Sequence, residues 1–455
     1  MKKCKLKKVD FLFVYENKNR ELENICLLAH ELRKRGYSVS MIETWHAIYH
    51  YQWPVDAKVV IAFALYDDKT FNFIASHVYK MRKVINLQWE QVYPKKRELN
   101  FVKNPQTGGM AQKAMHISWG KNNLKYLLES QGIPEDHIEI TGHMALDFFR
   151  PELSEYYMSR NELTRKYPVI KGKRIYIFIS SFSMVALPRE YLLSDVIKKT
   201  YKDPLLIQRM QIESQGKILE WIKKELVNHP DIIYIYRPHP SEINSIAVLR
   251  AAKENPNFVI IQEESVQQWI LIADKIYTQN STSIAQIYAA KKNCVILRPY
   301  PIPEELDMSL YDGCQAISTF EEFKEDFVGK AKSFPIAPEK IEEYYSIDDA
   351  IPSYIKICDI CEKIYKDDRF KIKNYPCQQP LLGGERIRRI IINKCHILLG
   401  TLMRYSGFAC IIGKISPKLK KRGEYALQVL TIEKKNYSPQ NEVHEVEKRI
   451  AKSLL

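Results

Sequence analysis

The sequence predicts a two-domain α/β protein with mainly parallel sheets and a basic carboxyl-terminal appendage, and three observations support this. Short apolar runs alternate with charged amphipathic stretches in two successive series, the pattern of strand, helix, strand units whose right-handed crossovers build parallel sheets. A polar connector from Phe149 to Gly172, carrying Pro151 and Pro168, separates the two series. At 455 residues the chain also exceeds what one hydrophobic core organises.

In the first series Val9–Tyr15 reads as a strand, Arg20–Arg35 as an amphipathic helix, and Gly36 as the left-handed residue that ends it. Tyr37–Ile42, Lys58–Ala64 and Lys83–Leu87 are further strands, with a helix over Lys69–Met81 before the last. Met115–Trp119, a helix over Lys121–Gln131 and Ile138–Thr141 continue the alternation. The second series opens with Arg174–Ser180, a continuous apolar run of the kind covered on both faces. Asp231–Tyr236, Asn257–Ile261, Lys275–Tyr277 and Asn293–Leu297 follow as strands, with helices over Pro204–Val227, Ile243–Ala252 and Ser283–Ala290. Thr319–Lys332 and Ser353–Lys366 are too acidic or mixed for a third core and read as helices packing across the two domains. The assignment is an amino-terminal Rossmann-like domain over 1–165, a second over 172–318, a helical crossover over 319–370 and a basic amphipathic appendage over 371–455. Two such halves are expected to face a ligand cleft at the carboxyl ends of their strands.

Composition and motifs exclude several classes. The basic start, Met1 to Lys8, leads into an apolar run interrupted at Asp10 and followed by no small-residue cleavage site, so a secretory signal is not expected. No apolar stretch is long enough to span a bilayer, and the expected location is cytoplasmic. The nine cysteines lack a repeated ligand spacing; Cys358 and Cys361 form a CxxC without a second pair, and no metal site is expected. There is no Walker loop, no GxGxxG after the first strand and no GxSxG elbow. The net charge of +15 is compatible with nucleic acid, an anionic membrane or a phosphorylated substrate. No helix-turn-helix, zinc-finger or RNA-binding pattern accompanies that charge, so a specific nucleic-acid partner is not expected.

The sharpest local signal is Tyr236-Arg237-Pro238-His239-Pro240 at the end of an apolar strand. Its prolines stiffen the loop, so that Arg237 can offer a fork of donors to phosphate and His239 a hydrogen bond or a proton. The alternative is a structural turn. Asn280-Ser281-Thr282-Ser283 follows another strand and precedes an Ala-rich helix; hydroxyls and first-turn amides there suit a phosphate, and equally an ordinary helix cap. In the first domain Glu16, Arg20 and Glu21 follow the first strand and Glu90 the fourth, in Trp89-Glu90-Gln91. Carboxylates so placed orient sugar hydroxyls, accept a proton or attack an anomeric carbon, or simply form salt bridges. Asp147 is a weaker candidate near the domain boundary, and His116 and His143 read as satisfying local hydrogen bonds.

At these residues the chain resembles the glycosyltransferase-B superfamily, and within it bacterial surface-polysaccharide enzymes related to capsule ulosonic-acid transferases and wall teichoic acid polymerases. The resemblance rests on Arg20-Glu21 with Leu27-Leu28-Ala29 and Arg35-Gly36, Asn86-Leu87-Gln88-Trp89-Glu90-Gln91, Trp119-Gly120, Thr141-Gly142 with Asp147, Arg237-Pro238-His239-Pro240 and Ser281-Thr282-Ser283, over residues 9 to 300. It implies a nucleotide-activated donor in the second domain and a glycan or lipid-linked glycan acceptor in the first. Arg237, His239 and Ser281 to Ser283 would hold the donor phosphate, Asn280 and Gln286 the nucleotide, and Glu16, Arg20, Glu21 and Asp147 the acceptor. Glu90 would serve as base or nucleophile. The implied substrate is a CMP-linked ulosonic or nonulosonic acid, with no separate cofactor; a CDP-glycerol-type glycerophosphotransferase is the alternative. Relatives often carry glutamate where Gln286 stands and glycine where Lys291 stands, so this chain brings no carboxylate to the ribose.

The appendage has its own chemistry. Between Arg386 and Arg422 there are ten Lys or Arg and no Asp or Glu, around the apolar stretches Ile390–Ile392, Ile397–Leu399 and Phe408–Ile412. Gly400, Gly407, Gly413 and Pro417 are expected to break it into short pieces. These read either as interfacial elements on an anionic membrane surface or as a small helical subdomain covering the body.

Overall fold

Each apolar run of the first series becomes a strand of a single sheet in the computed structural model, which describes residues 6–49, 54–98, 109–329, 333–373, 375, 377 and 383–454. The basic residues before Leu6, the end of the helix expected to reach Lys332 and part of the start of the basic appendage lie outside the described residues. The described residues fall into two units. One comprises those within Met1–Gln91, Pro105–Met144 and Asp348–Leu455; the other, those within Val92–Asn104 and Ala145–Ile347.

The first unit holds β1 (Lys8–Tyr15), β2 (Val39–Glu43), β3 (Asp56–Ala62), β4 (Val84–Asn86), β5 (Met115–Ser118) and β6 (Ile138–Ile140), in the order β2-β1-β3-β4-β5-β6. All pairings are parallel. From Phe11 to Tyr15 β1 is buried at every residue, as an interior strand of a sheet covered on both faces must be. The helix that follows, Lys18–Lys34, is capped by the Asn17 side chain, which accepts from the Asn19 N–H, and ends at Gly36 with φ of 90°. The helix expected to reach Met81 stops at Ala75, because Val78 bridges Val55 in parallel and the backbone there must be extended.

In the second unit, β7 (Arg174–Ile179), β8 (Ile232–Arg237), β9 (Phe258–Ile260), β10 (Lys275–Thr278), β11 (Val295–Leu297) and β12 (Ala316–Ile317) lie in the order β12-β11-β10-β7-β8-β9, again wholly parallel. Its core is aromatic: Phe178, Tyr234, Tyr236 and Tyr277 from the sheet meet Trp221, Phe323 and Phe327 from covering helices. The helix Pro204–Leu226 begins with Asp203 accepting from the Leu206 N–H and proline at its first position.

The helices after residue 348 return to the first unit. Helix Ser353–Lys366 sets the Tyr365 ring against Phe11 and Tyr37 and buries Cys358 and Cys361, whose thiols burial pushes up. The appendage forms four helices, Gly383–Leu402, Ser406–Ile415, Pro417–Asn436 and Gln440–Ser453. Of the expected breaks, Gly400, Gly407 and Gly413 lie inside helices rather than between them, and Gly423 lies inside the third helix. A Cβ at Gly400 would stand 2.8 Å from the Ala426 backbone and one at Gly423 2.7 Å from Met403 Cγ, so these glycines let two helices cross closely. Lys18 pairs with Glu442 at 3.0 Å and Arg33 with Glu447 at 2.6 Å. His46 Nδ1 lies 2.8 Å from Glu433 Oε1, and its ring stacks on Tyr437 at 3.7 Å.

Beside that contact Glu43, 3% exposed, accepts from the Trp45 and His46 backbone N–H groups. Burial lifts its carboxyl to about 7 against those two bonds. A folded-state value above the ordinary 4.5 means that this contribution to stability is whole below about 4.5 and is lost as pH rises through about 7. Urea denaturation across that window should show a decline on the order of 3 kcal/mol or less from this group, and Glu43→Gln should flatten it.

Candidate functional site

Because every strand of the second sheet runs the same way, the loops after β7, β8, β10 and β11 emerge along one edge. They line a pocket of about 180 Å³. Ser181 and Ser183 come from the first loop, His239 from the second, Gln279 to Thr282 from the third and Pro301 to Pro303 from the fourth; Gln211 and Ser214 enter from helix Pro204–Leu226. That volume suits a phosphate with part of a sugar better than a whole nucleotide sugar. Of these lining side chains His239 alone carries an ionisable ring, and the other polar ones offer hydroxyls and amides. The pocket wall thus carries hydrogen-bond donors instead of the lysine and arginine expected of a basic phosphate site.

His239 is held by its own loop. Its Nδ1 accepts from the Ser241 N–H at 3.2 Å and lies 2.7 Å from Ser241 Oγ, so the neutral ring carries its proton on Nε2, as a donor. Beneath it, Glu242 is almost fully buried and accepts from Ser180 Oγ, from the Tyr236 hydroxyl at 2.6 Å and from the His239 N–H at 3.1 Å. Burial raises the Glu242 carboxyl, and these donors oppose the rise. This residue, adjoining the motif by sequence, shapes the loop and was missed in the sequence. Ser181 and Ser183 were missed too, although three serines directly follow β7 in Ser180-Ser181-Phe182-Ser183.

Other expected donor residues have different surroundings. Arg237 does not line the pocket: Nη1 donates to the Glu263 carbonyl at 2.8 Å and Nη2 to that of Glu264, which pins the loop after β9. Burial pulls its guanidinium down to about 10, with Glu264 and Glu263 opposing, so it remains charged at neutral pH. Asn280 lines the pocket, and its side chain donates to the Leu306 carbonyl at 2.7 Å. Ser281 lies at the pocket with its N–H donating to the Tyr311 hydroxyl, while its own Oγ accepts from the Ser283 N–H at 3.2 Å. Thr282 is in the wall; Ser283 and Gln286 are not. The helix they open, Ile284–Ala289, is a six-residue element without a side-chain cap, so the phosphate-binding potential of this turn rests on the hydroxyls of Ser281 and Thr282.

The first unit gathers its acidic candidates around one arginine. Arg20 places Nη1 2.6 Å from Glu90 Oε1 and Nη2 2.8 Å from Glu21 Oε1. Glu21 is fully buried and its second oxygen accepts the Glu16 N–H at 2.9 Å. Burial raises the carboxyls of both Glu16 and Glu21, and the Arg20 charge opposes it in each. The two pairs differ in energy: removing Arg20 from a buried carboxylate costs about 3–5 kcal/mol, whereas a pair to the half-exposed Glu90 (52%) is worth about 1 kcal/mol or less. Glu90 is therefore the more weakly held of the two partners.

The segment around Glu90 is a scaffold of buried amides. Asn86 bonds Gln88 through both backbone and side chain and reaches His116 Nδ1 at 3.1 Å. Gln91 donates to the carbonyls of Leu87, Gln88 and Ile117 and accepts the Trp119 N–H, tying the loop after β4 to that after β5. Gln88 takes φ of 43° within it. His116 also reaches the Ala111 carbonyl, and burial pushes it down to about 4. His143 stacks on Trp119 at 3.9 Å and is pushed down to about 3, first by burial and then by the Arg20 charge. Both rings are neutral and structural at pH 7. Asp147 is buried in the short helix Met144–Phe149, where its carbonyl accepts from Arg150, and it belongs to the second unit rather than the first. Among the described residues no group of three His, Cys, Asp or Glu is arranged to hold a metal ion.

Two six-stranded parallel sheets with covering helices, one per unit, are the α/β architecture of glycosyltransferase-B proteins. The fold is similar to that of the wall teichoic acid polymerase TagF, at a TM-score of 0.50 and 13% identity over 78% of this chain and 89% of the polymerase chain. UDP-GlcNAc 2-epimerase from Neisseria meningitidis bound to UDP-GlcNAc matches at 0.45, with 14% identity over 79% of this chain and 100% of its own. MnaA of S. aureus with UDP also matches at 0.45, with 13% identity over 82% and 100%. The fold assignment rests on the polymerase. No family model and no curated protein matches the sequence.

The surroundings of Arg237 generate a direct expectation. Arg237→Ala removes the bonds from the guanidinium to the Glu263 and Glu264 carbonyls, leaving Glu263 only the Trp269 Nε1–H, and charge-assisted bonds of this kind are each worth about 1.5–3 kcal/mol. Thermal unfolding should therefore shift down clearly, with faster hydrogen exchange after β9. A stability equal to that of the unsubstituted protein, with only ligand binding lost, would contradict this placement.

Proposed function

We propose that this chain is a glycosyltransferase of surface-polysaccharide biosynthesis, transferring an ulosonic or nonulosonic acid from a CMP-linked donor to a glycan acceptor. The observation that carries the reading is the small hydroxyl- and amide-lined pocket with a single histidine on the carboxyl edge of a parallel sheet. In this reading His239 Nε2–H and the Ser281 and Thr282 hydroxyls donate to the phosphate of CMP as the bond from the sugar's anomeric carbon to phosphate oxygen breaks. An acceptor hydroxyl oxygen forms the new bond to that carbon. The family resemblance alone implies an acidic residue for the reacting sugar, for which the first unit offers Glu90: as the acceptor's base it would give one displacement with inversion, and as nucleophile two displacements with retention. The donor's sugar class comes from the family resemblance alone. The wall teichoic acid polymerase fold supports a second reading, transfer of glycerol phosphate from a CDP-alcohol, in which the same pocket holds the donor phosphate.

Purified protein offered a panel of CMP-, UDP- and CDP-linked donors should be stabilised against heat by CMP-ulosonic acids and form a glycoside detectable by mass spectrometry. Turnover of a CDP-alcohol together with inertness toward all nucleotide sugars would replace this reading by the second. His239→Ala should lower turnover by about 10²–10³-fold, the scale for losing one donor to developing charge, with the fold intact. Glu90→Gln should abolish most turnover while donor binding persists. Full activity at saturating acceptor would remove Glu90 from the mechanism, and product NMR would decide between base and nucleophile.

A further inference from the structure

Helix Ser406–Ile415 contains Phe408, Ala409, Ile411 and Ile412, yet none of its residues is buried. Ile411 is 57% and Ile415 72% exposed, and on the preceding helix Ile387, Ile391 and Leu398 are 60%, 55% and 61% exposed. So much exposed apolar surface on neighbouring elements marks a surface that something covers. The two helices join through a bend of 119°; together they have the length and apolar content of a membrane span, although no single helix among the described residues does. The bend excludes a straight crossing and suits an element lying within one leaflet.

Charge identifies the covering surface. Arg388, Arg389, Lys394, Lys414, Lys418 and Lys421 are exposed along these helices and the start of the next, and no acidic residue intervenes between Arg386 and Arg422. A second copy of this chain would bring the same positive charge against itself, whereas an anionic lipid surface supplies both the apolar phase and the counter-charge. The packing is also suited to insertion. Gly400 and Gly423 fasten helix 383–402 to helix 417–436, and the last two helices are tied to the body through Glu433, Glu442 and Glu447, so the bent pair is presented on a fixed support. We infer that helices 383–402 and 406–415 form a wedge that seats the protein on an anionic bilayer, with Ile411 and Ile415 in the acyl boundary and the basic side chains on lipid phosphates. This does not depend on the transfer chemistry proposed above.

The test is co-sedimentation of the full chain with phosphatidylcholine vesicles, with and without phosphatidylglycerol. Binding should require the anionic lipid and fall about tenfold or more between ~0.1 M and ~0.5 M salt. Ile411→Asp with Ile415→Asp should abolish it, with circular dichroism and thermal unfolding unchanged because neither side chain is buried; Arg388→Gln with Arg389→Gln should weaken it. An environment-sensitive fluorophore on the exposed Cys410, in a Cys395→Ser variant, should shift to the blue on anionic vesicles. Equal binding to neutral vesicles, retention of binding in the aspartate variant, or a fluorophore that stays in water would overturn the inference. So would a lipid-independent dimer lost in the aspartate variant, or binding to RNA with none to vesicles.

Discussion

A parallel sheet covered on both faces has nowhere to keep polar side chains except at its ends, and that constraint organises both units. Interiors such as Phe11 to Tyr15 and Ile232 to Tyr236 are wholly buried, so the groups with chemistry to offer follow the strands. With all strands aligned, four loops of the second sheet reach one pocket although Ser181 and Pro303 are far apart in sequence. The same rule gathers Glu16, Arg20 and Glu90 in the first.

Burial then divides the polar residues at those edges into two kinds. Glu21, Asn86, Gln91, Glu242 and Arg237 give their donors and acceptors to backbone or to one another, as groups withdrawn from water must. They hold loops in shape. Glu90 and His239 stand on those loops, each fixed by a neighbour, Arg20 for the first and Ser241 for the second.

The appendage follows different rules, because its helices bury little of their own apolar surface. Close crossing at Gly400 and Gly423 replaces a large core, and ion pairs to the helix Lys18–Lys34 fasten it. What is left uncovered is apolar and basic together, a combination that water alone does not favour.

Alternation of apolar runs with amphipathic stretches was sufficient in the sequence to determine eleven of the twelve strands to within two residues at each end, and the α/β class with them, since periodicity and hydrophobicity are properties of each segment taken alone. Only β12, of two residues, was too short to carry a period. The candidate loops were legible as well, because proline, serine and carboxylate clusters after apolar runs mark strand ends. Roles within them were not. Arg237 and His239 are separated by one proline, and nothing in RPHP says that the first turns to the carbonyls of Glu263 and Glu264 and the second to a pocket. Gly400 read as a break until a facing helix made it a contact. The return of the helices after residue 348 to the first unit likewise depends on surfaces that no local pattern contains. Partner identity is a property of the folded neighbourhood: side chains distant in sequence decide where each donor and acceptor finds its partner.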